Sequence, residues 1–183
     1  MIGNPQDLGA FFSWGNVEPH FANGSGGFDD GYNWGTSNDG VYASTPGASI
    51  EFVEDTGNAD YEPDGAYDAA HVLLGDGARV PTENEFEELL QNTDYIWTTL
   101  NGINGVKFMK RTDHSVFVFF PAAGYGSGTS HATVGSFGRY WSSSLASATW
   151  GHELKMDRNT TPVTSGIGRY YGFSIRPVRS GIV

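Results

Sequence analysis

The sequence predicts an α+β fold in a single domain. Three observations predict it: two helix signals in the middle of the chain, a run of strand signals after them, and a composition dominated by turn residues. The chain has 183 residues, among them 26 Gly and 8 Pro; aromatic residues make up 14% and charged residues only 17%. Such a balance favours short strands, many turns and flat side chains in the core, and the length suffices for one core without staples.

Each element follows from a local signal. The first helix is expected over 67–74 and is stopped by Gly75. The second is expected over 83–91, where Pro81 precedes a Thr82-x-x-Glu85 capping box and Phe86, Leu89 and Leu90 share one face. "YIWTTLNGINGVKFMK" then reads as strands joined by Asn-Gly turns. "SVFVFF" is a nearly continuous apolar run, expected to be a strand buried on both faces and ended by Pro121. Upstream, 24–64 is polar, Gly-rich and acidic and reads as loops with short strands such as 49–53. In the last third, "RYWSSS", "HELKM" and "FSIRPVR" alternate with Gly-rich loops. There is no internal repeat of fixed period, and "GYGSGTSHATVGSFG" reads as a long loop of the same domain rather than a linker.

Charge and chemistry narrow the function. The net charge is −11 and no Lys/Arg cluster collects phosphates, which argues against nucleic acid and anionic membranes as partners. No stretch approaches the ~20 apolar residues of a membrane span, so direct membrane insertion is not expected. The start has no basic n-region followed by an apolar run. With no Cys, disulfides, thiolate nucleophiles and Cys-based zinc sites are excluded. The stretch "WGHELKMD" resembles a zincin motif from His152 on, but the motif's fifth position, counting His152 as the first, is Met156, not His. His20, His71, His114 and His131 are scattered and read as structural or surface residues. Gly128-Thr129-Ser130-His131-Ala132 lacks the final Gly of a nucleophile elbow, and there is no phosphate-binding loop or dinucleotide fingerprint. Glu51, Glu54, Asp55, Asp60, Glu62, Asp64 and Asp68 do not have the spacing of a calcium loop and read as a solvated acidic face. No metal, no cofactor and no enzymatic activity are therefore expected.

Five motifs in order, "RVPTENEFEELLQN", "WTTLNGINGVKF", "FFPAAGYG", "GRYWSSS" and "RYYGFSIRPVR", resemble the Fibrobacter succinogenes major paralogous domain family. With "FFSWGNVEPH" near the start, the likeness spans nearly the whole chain. The resemblance implies a C-type-lectin-like fold with two helices, a twisted antiparallel β core and long Gly-rich loops, of a kind common in surface proteins of gut bacteria and in their phages. It also implies that "RYWSSS" and "GFSIRPVR" are framework strands flanking a ligand-facing segment, here 148–171. Some relatives are variable proteins of diversity-generating retroelements, in which the corresponding segment changes while the fold stays constant. Two departures count. Glu62-Pro63-Asp64, the only echo of a calcium-dependent sugar motif, stands before the helices, and the cysteines of the formylglycine-generating branch are absent.

A non-enzymatic ligand-binding domain of an extracellular adhesin or phage tail fibre is thus expected, recognising a protein or glycan on a cell surface, with a homo-oligomer as one arrangement left open. Leu154 and Met156 read as inward anchors and Trp141 as core. The ligand-facing residues expected are Thr149, Trp150, His152, Glu153, Lys155, Asp157, Thr164, Ser165, Ile167, Arg169 and Tyr170, with Trp150, His152, Lys155 and Arg169 on one exposed patch. The alternatives are a glycan hydrolase with a carboxylate pair, and a purely structural stalk or decoration module. Relatives carry a strand before the segment matching "NPQDLGAFFSWGN", so 1–183 is expected to be one domain that begins partway into its parent. The edge of the strand 173–178 must then be covered by a rearranged N-terminus, another chain or a partner domain.

Overall fold

The computed structural model describes residues 4–35, 67–75, 77–147 and 150–179. The expected strand 49–53 and Glu62-Pro63-Asp64 lie outside them. The fold is α+β and mostly β. Its elements run β1 (Phe11–Phe12), α1 (Ala69–Leu74), β2 (Ala78–Arg79), α2 (Glu83–Asn92), β3 (Thr93–Leu100), β4 (Ile103–Lys110), β5 (Asp113–Pro121), β6 (Tyr125–Ser127), β7 (Ser130–Ala132), β8 (Phe137–Ser147), β9 (Trp150–Asp157), β10 (Val163–Gly168), β11 (Phe173–Ser174) and β12 (Val178–Arg179).

Local chemistry sets both helices. In α2 the Thr82 hydroxyl accepts from the Glu85 amide while the Glu85 carboxylate accepts from the Thr82 amide, the reciprocal box read from the sequence. α1 is shorter than expected because Asp68 caps it: one carboxylate oxygen accepts from the His71 amide at 2.9 Å, the other from the Val80 amide at 2.9 Å. Asp68 therefore does not belong to a solvated acidic face; it is fully buried and ties α1 to the strand after it. Gly75 ends the helix with φ of 57°.

Among the described residues four sheets assemble around these helices. The largest has the order β1-β11-β8-β9-β10; β8, β9 and β10 pair antiparallel, and β11 joins β8 in parallel through Ser174 and Tyr140. The expected all-antiparallel core thus has one parallel seam. β3, β4 and β5 form a separate antiparallel sheet, turned at Asn101-Gly102, both in the left-handed region with φ of 49° and 86°. Between these sheets and α2 lies a core that includes Phe11, Phe28, Phe86, Phe108, Phe120, Tyr140, Leu154 and Met156.

The strand "SVFVFF" corrects an expectation. β5 is an edge strand and only Phe119–Pro121 reach the core; Val116, Phe117 and Val118 are 54%, 39% and 49% exposed. A run of apolar residues cannot report that the sheet extends beyond what covers it. The C-terminal edge, in contrast, is covered from within. Phe11 and Phe12 pair antiparallel with Ser174 and Phe173, the Ser174 hydroxyl donates to the Leu8 carbonyl, and Val178–Arg179 pair with Ala78–Arg79. The partner at Phe173–Ser174 is thus Phe11–Phe12, which belong to the "FFSWGN" segment itself, and the partner at Val178–Arg179 is β2.

Candidate functional site

β8, β9 and β10 carry most of the residues expected to meet a ligand, and their register decides which of them share a face. Across β8 and β9, Gly138 opposes Met156 and Tyr140 opposes Leu154, whereas Phe137 opposes Asp157, Arg139 opposes Lys155 and Trp141 opposes Glu153. Across β9 and β10, Lys155 opposes Val163, Glu153 opposes Ser165 and Gly151 opposes Ile167. Directly opposed residues point the same way. One face therefore holds Leu154 and Met156 and packs on α2; the other holds Arg139, Glu153, Lys155, Asp157, Val163, Ser165 and Ile167.

This register corrects the expected patch. Trp150 and His152 are an even number of residues from Leu154, so they share its face and not that of Lys155. His152 Nδ1 meets Glu83 Oε1 of α2 at 2.8 Å, and the Thr164 hydroxyl lies 3.5 Å from Glu87 Oε1, one helical turn further on. Both residues dock the helix. Trp150, 50% exposed, stands over Gly166 at the margin of this face. Arg169 is a second correction, being only 1% exposed, with its guanidinium carbon 5.7 Å from the Trp14 ring. Burial lowers its pKa, and Nε and Nη1 find no hydrogen-bond partner among the described residues. Tyr170 is half-buried, its ring centroid 4.5 Å from that of Tyr171. Thr149 lies outside the described residues.

Glu153 is the third correction, at 1% exposure. Its Oε1 accepts from Arg139 Nη1 at 2.7 Å and from the Ser165 hydroxyl at 3.0 Å. Burial pushes its carboxyl up, with Arg139, Ser165 and Lys155 pulling the other way. A carboxyl held by an arginine and closed off from solvent is a poor candidate for protonating a substrate oxygen. Asp157 is also engaged: it accepts from the amides of Asn159 and Thr160 and from the Thr160 hydroxyl, which shapes the turn after β9.

What this face presents is therefore narrower than expected and includes residues not foreseen. Arg139 sits among three rings, 5.0 Å from Tyr125, 5.1 Å from Phe137 and 5.4 Å from Phe173. Lys155 Nζ is 5.7 Å from the Phe137 ring, and Val163, 47% exposed, lies beside it. Arg139 could have been found from the sequence, since it stands two residues from Trp141 and must share its face. That it meets Lys155 depends on register, which no local signal carries.

Two devices support the surface. Trp14 packs its indole against Gly151, where any side chain would collide, and donates from Nε1 to the Ser142 carbonyl at 2.8 Å. Ser142–Ser144 form an irregularity in β8: the Ser142 hydroxyl donates to the His152 carbonyl, the Ser143 amide to the Pro81 carbonyl, and Ser144 Oγ accepts from the Glu83 amide. The triple serine thus fixes the start of α2 to the sheet. Comparison with protein-family models, with curated proteins and with solved structures gave no match to this chain.

Proposed function

We propose that this is a non-enzymatic binding domain that recognises a protein or glycan on a cell surface through the outer face of β8, β9 and β10. One observation carries the reading: Arg139 and Lys155 meet Tyr125 and Phe137 on a half-open face where Glu153, the carboxylate partner of Arg139 among the described residues, is buried. Rigid aromatic side chains beside fixed cations make contact area at low entropic cost and give direction to polar contacts. The motif resemblance supports the finer statement of a C-type-lectin-like domain, extracellular, in a bacterial adhesin or phage receptor-binding protein. On that reading the segment 148–171 is the variable part of a diversity-generating-retroelement target.

The test is a glycan array together with a pulldown on intact bacterial cells, using wild type, Lys155→Ala/Val163→Ala and Trp150→Ala. Loss of captured ligand by more than about tenfold in the double variant alone supports the assigned face. Loss in Trp150→Ala with the double variant unaffected places recognition on the opposite face and refutes the assignment.

A further inference from the structure

On the other side of α2 from that surface, a cleft of about 450 Å³ opens between α2, β5 and residues 176–178. Its walls are apolar: Pro81, Phe86, Leu89, Phe117, Val118 and Phe120. Two charged side chains reach it. Glu85 is already satisfied, with Arg79 donating to both carboxylate oxygens at 2.7 and 2.6 Å and the Thr82 amide at 2.8 Å. Arg176 is not. Its Nη2 donates to the carbonyls of Pro5 and Asp7 at 2.8 and 3.1 Å; among the described residues its buried Nε has no hydrogen-bond partner and no carboxylate lies within ion-pair distance. Arg79 is thus committed to Glu85, while Arg176 lines the cleft with no carboxylate of its own among the described residues.

We propose that this cleft binds a linear aliphatic carboxylate, with the hydrocarbon chain along α2 and β5 and the carboxylate on Arg176. The volume falls within the roughly 300–1,000 Å³ usual for small-molecule sites, and an apolar cleft with one convergent cation defines an amphiphile with one anionic end. A second hollow of about 580 Å³ on the far side of Arg176 has Asp7 among its lining residues, which disfavours a carboxylate there. The half-exposed Val116, Phe117 and Val118 of β5 leave the cleft open to a chain entering from solvent. The site is separate from the face of Arg139 and Lys155, so the two readings stand or fall independently.

Decanoate below its aggregation concentration is the probe, titrated into the chain by isothermal calorimetry beside decan-1-ol and octanoate. Saturable binding of decanoate is expected, about tenfold tighter than decanol and about tenfold tighter than octanoate, since each buried methylene contributes roughly fourfold. Val118→Trp, at a half-exposed position, fills the cleft and should abolish binding; Leu73→Trp, in the second hollow, should leave it unchanged. Arg176→Lys should keep the preference for carboxylate over alcohol and Arg176→Gln should lose it. Because Arg176 also holds the N-terminal segment, folding of Arg176→Gln is checked by circular dichroism, and Val118→Trp with Arg176→Lys decides the matter if it is unfolded. No saturation by ~1 mM decanoate, equal affinity for decanol, or binding that survives Val118→Trp overturns the proposal.

Discussion

Trp141→Ala is the substitution that separates framework from displayed surface. Trp141 is buried, stacks on Phe173 with centroids 4.1 Å apart at 26°, and donates from Nε1 to the Phe12 carbonyl at 2.8 Å. Truncating a buried Trp costs about 3–5 kcal/mol through lost transfer energy and the cavity left behind. The orphaned Phe12 carbonyl adds about 1 kcal/mol, for a total near 4–6 kcal/mol. At roughly 2–4 °C per kcal/mol for a chain of this size, the midpoint should fall by about 10–20 °C. Urea denaturation followed by far-ultraviolet circular dichroism, with a thermal scan, measures both. Trp141→Phe keeps a ring against Phe173 and loses the hydrogen bond, so it should cost only about 1–3 kcal/mol. A Trp141→Ala loss below about 1 kcal/mol would show that the ring is not packed as described. Equal losses in the two variants would show that the hydrogen bond, not the stacked ring, holds the strand.

Other outcomes follow from the same contacts. Asp68→Ala removes an N-cap and strands the buried Val80 amide; a loss of about 2–4 kcal/mol is expected, read by urea denaturation, with faster amide exchange at His71 and Val80. Gly151→Ala drives a methyl into the Trp14 indole and should cost about 1–3 kcal/mol with a shift in tryptophan fluorescence. Burial pushes Glu85 up, but the Arg79 pair and the Thr82 bonds outweigh it and hold its carboxyl below the ordinary value of 4.5. Its contribution is therefore present above the unfolded carboxylate pKa and is lost as pH falls through the lowered one; the gap in melting temperature between wild type and Glu85→Gln should be widest near neutrality and close in acid. Lys155→Ala/Val163→Ala should change stability by no more than about 0.5 kcal/mol per site.

The parts of the fold that rest on local chemistry were legible. Thr82 and Glu85 announce α2, Gly75 ends α1, and Asn101-Gly102 closes the β3–β4 hairpin, because each signal and its consequence lie within a few residues. The expected patch failed where the period of two was not carried through. Trp150 and His152 share parity with Leu154 and Met156, so placing them beside Lys155 contradicted the rule that placed Leu154 inward. Burial of Glu153 was not legible, since it depends on Arg139 and Ser165 arriving from two other strands in one register. Nor was the exposure of Val116–Val118, which is set by the place of β5 at the edge of its sheet and by what packs over it rather than by its own residues.

The closure of the sheet by the two ends of the chain has a kinetic consequence. Ser174 donates to Leu8 across 166 residues, and Trp141 to Phe12 across 129, so β1 has no strand to pair with until nearly everything else has been laid down. Loop closure of that span comes before any reward from the contacts, and topologies dominated by such pairings fold slowly. During synthesis Phe11, Phe12 and Trp14 would emerge early and wait, exposed, for Phe173 and Ser174 to leave the ribosome. The β3–β4–β5 meander, whose partners are consecutive, can form first, and docking of the N-terminal phenylalanines onto β11 would be the late step that commits the domain to its native state.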